Sequence, residues 1–155
     1  MPDVLVIGYG NPLRGDDGVG CVVAEEVAKR MCDPGSRVQV VACHQLNPEM
    51  AEAVADTHAV IFVDASVKVP PGQVSVSTVL PDRFSPALAT HSLEPPALLA
   101  TAAELFGQAP PAKAVLIGAA SFDSCMTLTP EVQAGVRVAL RIIEHEIENY
   151  LRTQS

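Results

Sequence analysis

Apolar residues along the chain form short runs and periodic stretches that predict strands and helices in alternation. Continuous apolar runs predict strands at 3–8, 37–43, 59–63 and 113–119. The stretch 73–79 alternates strictly between apolar and polar residues, which is typical of a strand at a sheet edge with one wetter face.

Helical spacing of apolar residues appears between these runs. It extends over 19–31, over a segment that Ser92 is expected to cap and that ends at Phe106, and over a last long helix that begins at Thr129-Pro130-Glu131. A shorter helix is predicted from Asn47 to about Asp56. The order β-α-β-α-β-β-α-β-α predicts an α/β fold of three layers, α/β/α, on a twisted and mostly parallel sheet of about five strands.

Length and charge narrow the classes of protein that fit this pattern. A chain of 155 residues suits a single domain, 1–155, with a well-buried core. Its net charge of -8 disfavours nucleic acid and anionic membrane surfaces as partners. We see no signal peptide and no apolar run long enough to span a membrane, so we expect a cytoplasmic protein with reduced thiols. Its cysteines form no C-x-x-C pair; they are Cys21, Cys32, Cys43 and Cys125.

The most informative segment joins the first strand to the first helix, and it reads GYGNPLRGDDGVG over residues 8–20. Glycine turns at this place bind dinucleotides in many α/β proteins, but here Leu13 occupies the third glycine position of that motif. Asp16 and Asp17 lie where a helix N-terminus would receive a phosphate, and carboxylates there repel phosphate and attract cations. A nucleotide-binding, oxidoreductase-like domain therefore stays only as an alternative.

Further polar residues fall at the carboxyl ends of other predicted strands. Asn11, Asp16 and Asp17 follow the first strand, Asp64 follows the third, and His91 precedes a helix. Functional residues of parallel sheets lie at this edge, so three of these segments can converge there and bring together two or three carboxylates and one imidazole. Carboxylates with a neutral imidazole suit a borderline divalent ion such as nickel, zinc or iron(II). Each residue alone also fits a structural role as a helix cap or in a turn.

Four segments, in order along nearly the whole chain, resemble the hydrogenase maturation endopeptidases. These segments are residues 8–20, Val63-Asp64-Ala65, Thr90-His91-Ser92-Leu93 and 128–132. Residues 8–20 fit the family pattern G-x-G-N-x-L-x-x-D-[DE]-G-x-G without a gap. The chain departs from many members after the last strand, where Gly118-Ala-Ala-Ser-Phe-Asp-Ser124 replaces a Gly-x-Gln-Pro-like run.

The resemblance implies an enzyme that removes a C-terminal extension from the large-subunit precursor of a nickel–iron hydrogenase after nickel insertion. The nickel belongs to the substrate, although another divalent ion can replace it in isolation, and Asp17, Asp64 and His91 are implied to recognise it. We expect either Asp16 or Asp17 to act as general base, or the metal to activate the water, with Asn11 or the turn amides stabilising the oxyanion. A maturation chaperone that binds nickel without cutting is a further alternative.

Overall fold

The structure, a computed structural model, describes residues 2–82, 93–123 and 127–153. Its sheet has five strands in the order β2-β1-β3-β5-β4. All neighbouring strands are parallel except β4, which lies at one edge and pairs antiparallel with β5. This arrangement confirms the mostly parallel sheet and the predicted edge strand. The strands are β1 (Val4–Tyr9), β2 (Val38–Cys43), β3 (Ala59–Ser66), β4 (Val74–Val79) and β5 (Ala112–Gly118).

Helices cover both faces of the sheet and give the three layers that the sequence predicts. On one face α1 and α4 enclose a core of apolar residues, and on the other face α2 and α3 enclose a second core. Among the described residues, no helix has the length and apolar character needed to cross a membrane. The helices are α1 (Val19–Met31), α2 (Ala51–Ala55), α3 (Pro95–Phe106) and α4 (Pro130–Thr153), and short 3-10 turns lie at Gly15–Gly18 and Pro48–Met50.

Two boundaries differ from the sequence prediction, and both concern the candidate site. The helix α3 begins at Pro95, with Glu94 at its N-cap position, so the predicted start at Ser92 was too early, and Ser92 lies outside the described residues. Proline favours the first helical turn because its missing N–H and fixed φ cost nothing there. Asp64 lies within β3, not after it, because pairing with β5 continues to Ser66.

Candidate functional site

The turn after β1 is held against the sheet by backbone contacts that leave no room for side chains. Gly10 has a φ of 140°, and a Cβ there would lie 1.9 Å from the carbonyl oxygen of Asp17. A Cβ on Gly20 would lie 2.4 Å from the carbonyl oxygen of Val63. Glycine at these positions therefore lets the turn and the start of α1 approach the ends of β1 and β3.

Asp16 binds the segment between β5 and α4. Its side chain is fully buried, with 0% exposure. Oδ2 accepts hydrogen bonds from the backbone N–H groups of Ala120 and Ser121, both at 2.8 Å, and Oδ1 accepts the N–H of Thr129 at 2.8 Å. The Thr129 hydroxyl lies 2.9 Å from Oδ2 and 3.1 Å from Oδ1. Both carboxylate oxygens are therefore bonded within the protein.

This environment favours a positioning role for Asp16 over a catalytic one. Burial by itself raises the pKa of the Asp16 carboxyl, but the three backbone N–H donors and the Thr129 hydroxyl outweigh burial and lower that pKa below its ordinary value. A carboxylate that is buried, ionised and fully bonded is a poor acceptor for the proton of a substrate water. Asp16 therefore joins the turn after β1 to the segment that connects β5 to α4.

Asp17 and Asn11 form the part of the turn that lies nearer to solvent. The N–H of Asn11 donates to Asp17 Oδ2 at 2.8 Å, and the side-chain oxygen of Asn11 accepts the N–H of Leu13 at 2.9 Å. Both side chains are partly buried. The amide oxygen of Asn11 can only accept, so its Nδ2 group is the part of the side chain that can donate to an oxyanion.

Asp64 lies close to Asp17 and differs from Asp16 in its protonation. Burial raises the pKa of Asp64 to about 7, and the negative charges of Asp17 and Glu94 add to that rise. The N–H of Ala65, which donates to Asp64 Oδ1 at 2.8 Å, and the Tyr9 hydroxyl act in the opposite direction. Asp17 is thus near enough for its charge to act on the Asp64 carboxyl. A carboxyl that titrates near neutrality is typical of functional sites.

Tyr9, Glu94 and Lys68 also belong to this region, although the sequence analysis did not identify them. Burial, followed by the charges of Asp64 and Glu94, raises the pKa of Tyr9, so its hydroxyl is protonated at neutral pH. Burial also raises the pKa of Glu94, while the Lys68 ammonium opposes that rise. One signal was available for Tyr9, because it ends the first strand between Gly8 and Gly10.

His91 lies outside the described residues, so its place beside the two acids stays a prediction. Within residues 2–82, 93–123 and 127–153, no group of three or more His, Cys, Asp or Glu side chains is arranged to hold a metal ion. Burial raises the pKa of Cys21 to about 11 and also raises that of Cys43, so neither thiol is an activated nucleophile. Cys125 also lies outside the described residues.

Solved structures of hydrogenase maturation enzymes are similar to this chain over nearly its whole length. The hydrogenase maturating endopeptidase HybD from E. coli is 26% identical with a TM-score of 0.76, and the match covers 96% of this chain and 93% of that one. The hydrogenase 2 maturation peptidase from Thaumarchaeota archaeon SCGC_AB-539-E09 is 25% identical with a TM-score of 0.70, covering 94% and 97%. The [NiFe] hydrogenase maturation protease HybD from Thermococcus kodakarensis is 25% identical with a TM-score of 0.67, covering 94% and 98%.

No protein-family model matches the sequence, and no curated protein matches it. The structural likeness nevertheless agrees with the resemblance carried by residues 8–20 and with a five-stranded, mostly parallel sheet flanked by helices. The chain has the fold of the hydrogenase maturation endopeptidases, and the solved structures that it resembles over nearly its whole length are peptidases.

Proposed function

We propose that this chain removes the C-terminal extension from the large-subunit precursor of a nickel–iron hydrogenase after nickel has been inserted. In this proposal the nickel arrives with the substrate and docks against Asp17, Asp64 and His91. Docking aligns the scissile peptide bond, so an enzyme without a strong resident nucleophile cuts a single bond.

The observation that carries the proposal is the closeness of Asp17 and Asp64: burial raises the pKa of the half-buried Asp64, and the charge of Asp17 adds to that rise. Two neighbouring carboxylates repel each other when both are ionised, and a divalent cation between them removes that repulsion. A site with this property binds poorly to a precursor that lacks metal and well to one that carries it. The acids therefore provide a physical basis for recognising the loaded precursor.

Hydrolysis requires a water whose proton is removed as its oxygen attacks the carbonyl carbon. Of the two acids first considered as general base, Asp17 is favoured, because the oxygens of Asp16 are buried and bonded to backbone N–H groups. The oxyanion that forms needs a donor, which the Nδ2 group of Asn11 can supply. Collapse of the intermediate breaks the C–N bond, and the proton passes to the leaving amine.

The alternative of a dinucleotide-binding domain has less support. In such domains the backbone N–H groups of the glycine turn bind the pyrophosphate. Here the N–H of Asn11 is bonded to the Asp17 carboxylate, which also repels phosphate. The sequence at the end of β2 reads Cys43-His44, without the acid that binds ribose in dinucleotide-binding domains.

Single replacements Asp17→Ala, Asp64→Ala and His91→Ala test the proposal with a nickel-loaded precursor as substrate. We expect the rate of cleavage to fall about 100-fold or more in each variant, because each loses a ligand to the docked metal or a group that acts on the water. Metal-free precursor is expected to stay uncut by the unaltered chain. Equal cutting of loaded and metal-free precursor would contradict recognition through nickel.

Asp56→Ala and His145→Ala are matched controls, because both remove an exposed side chain of the same type away from the turn. These controls should cut at the unaltered rate. Full cleavage by the Asp17, Asp64 and His91 variants would overturn the proposal. Tight binding of loaded precursor without cleavage by the unaltered chain would favour the non-catalytic chaperone.

A further inference from the structure

The register of the sheet places Tyr9 beside Asp64. Pairing between β1 and β3 runs to Gly8 opposite Val63, so the next residues along the two strands are Tyr9 and Asp64. Neighbouring residues in a pair of parallel strands project to the same face, with their side chains about 5 Å apart. That face is the one covered by α2 and α3, since the apolar part of Tyr9 packs against their core.

Contacts of the Tyr9 ring and of the Asp64 carboxyl hold these two side chains in place. The Tyr9 hydroxyl lies near enough to the Asp64 carboxyl to lower its pKa, and Asp64 Oδ1 accepts the N–H of Ala65 at 2.8 Å. The tyrosine is partly buried and packs against the core under α2 and α3, which restricts the movement of its ring. A hydroxyl on a packed ring is a rigid donor, and it restricts the rotation of the carboxyl to which it donates.

We propose that Tyr9 is a positioning residue that holds the Asp64 carboxyl in the orientation that the substrate meets. The inference rests on the proposed function and extends it, because neither the motif nor the acids themselves assign a role to Tyr9. Tyr9 does not touch the scissile bond and acts through Asp64. Its aromatic ring packs against the core, and its hydroxyl faces the Asp64 carboxyl.

Tyr9→Phe isolates the hydroxyl, because it keeps the ring that packs in the core. We expect kcat on nickel-loaded precursor to fall about tenfold, with the thermal midpoint within a few degrees of that of the unaltered chain. Tyr150→Phe is the matched control: it removes a hydroxyl that donates to the His58 carbonyl at 2.9 Å, and it should leave kcat and KM unchanged. An unchanged kcat in Tyr9→Phe would overturn the inference.

A double-mutant cycle separates positioning from a general loss of structure. Tyr9→Phe and Asp64→Asn are made singly and together, and the dissociation constant for nickel-loaded precursor is measured for each. If Tyr9 acts through Asp64, Tyr9→Phe weakens binding in the unaltered chain and has no further effect in the Asp64→Asn background. The same loss in both backgrounds would mean that Tyr9 acts independently of Asp64, and the inference would be wrong.

The two proposals fail in different ways. If the unaltered chain does not cut or bind loaded precursor, the proposed function fails, and the role of Tyr9 in that reaction fails with it. If the unaltered chain cuts and Tyr9→Phe cuts equally fast, only the role of Tyr9 is excluded. A cycle of unfolding free energies with the same variants, run without substrate, reports the Tyr9–Asp64 contact separately from catalysis.

Discussion

Two carboxyl groups, Asp16 in the turn after β1 and Asp64 near the end of β3, have opposite protonation behaviour. Asp16 is fully buried, yet its pKa lies below the ordinary value, while burial raises the pKa of Asp64 to about 7. Asp16 accepts three backbone N–H groups and a hydroxyl, whereas Asp64 has the N–H of Ala65 and the Tyr9 hydroxyl and also faces two negative charges. The number of donors, more than the depth of burial, decides which acid carries a charge.

This difference divides the work between the two acids. A carboxylate that is saturated with backbone donors stabilises the fold and has no capacity left for a substrate. A carboxyl with fewer donors and like charges nearby is destabilised when ionised, and a cation or a proton relieves it. Asp16 therefore stabilises the fold, whereas Asp64 can still bind a cation or a proton that enters the site.

Asp16→Ala should cause the largest loss of stability. It leaves the backbone N–H groups of Ala120, Ser121 and Thr129 without their acceptor, and it opens a cavity where the fully buried carboxylate lay. We expect the free energy of unfolding to fall by about 3 kcal/mol or more, measured by urea denaturation. Asp123→Ala removes an exposed acid from the segment between β5 and α4, and it should change the free energy of unfolding by less than about 0.5 kcal/mol. A loss below about 1 kcal/mol in Asp16→Ala would show that other contacts hold the segment.

Asp64→Asn should act in the opposite direction and in a pH-dependent way. The folded pKa of Asp64 is about 7, whereas an unfolded aspartate titrates near 3.9, so ionisation within the fold destabilises it as the pH rises through that range. The variant should therefore be more stable than the unaltered chain by about 2–4 kcal/mol at pH 8. Below pH 4 both forms are neutral at this position, and the advantage should disappear. A stability difference that is the same at both pH values would contradict the raised pKa.

Much of the scaffold could be predicted from local sequence. The helix predicted at 19–31 is observed at Val19–Met31, and the alternating stretch 73–79 is the antiparallel edge strand Val74–Val79. Hydrophobic periodicity is a local property, and it depends directly on which face of an element is buried. The proline pair at 95 and 96 in turn shows why the helix start was set too early, because the first-turn preference of proline outweighs that of Ser92 for the cap.

The different roles of the two acids could not be predicted in this way. The donors that saturate Asp16 lie 104 to 113 residues further along the chain, and no local pattern connects them to the turn. Asp64 and Tyr9 become neighbours only through the register of β1 with β3. The sequence therefore indicates which residues are able to take part in chemistry, while long-range packing decides which of them is free to do so.

Thr129→Val should lower the free energy of unfolding by less than Asp16→Ala does. It removes the hydroxyl that lies 2.9 Å from Asp16 Oδ2, while the backbone N–H of residue 129 stays in place. We expect a loss of about 1.5 kcal/mol in the free energy of unfolding, which is the usual contribution of a hydrogen bond to a charged group. Thr78→Val, on an exposed position of β4, is the matched control and should be nearly neutral. An equal loss in both variants would point to a general effect of replacing threonine.

Arg14→Ala should have the smallest effect on the free energy of unfolding. It compares an exposed contact of the turn with the buried contacts that Asp16 makes. The Arg14 guanidinium lies 5.9 Å from the centroid of the Phe122 ring, so it joins the same turn to the same segment as Asp16 does, but from the exposed side. An exposed cation–π contact contributes about 0.5–1 kcal/mol, and Arg14→Ala should lower the free energy of unfolding by no more than that. Arg14→Lys keeps the charge and should lower the free energy of unfolding by less than Arg14→Ala does. Because water competes for the guanidinium and cannot reach the buried carboxylate, the two contacts differ in strength although they join the same two pieces of chain. A loss in Arg14→Ala as large as that in Asp16→Ala would mean that the exposed contact holds the turn in place.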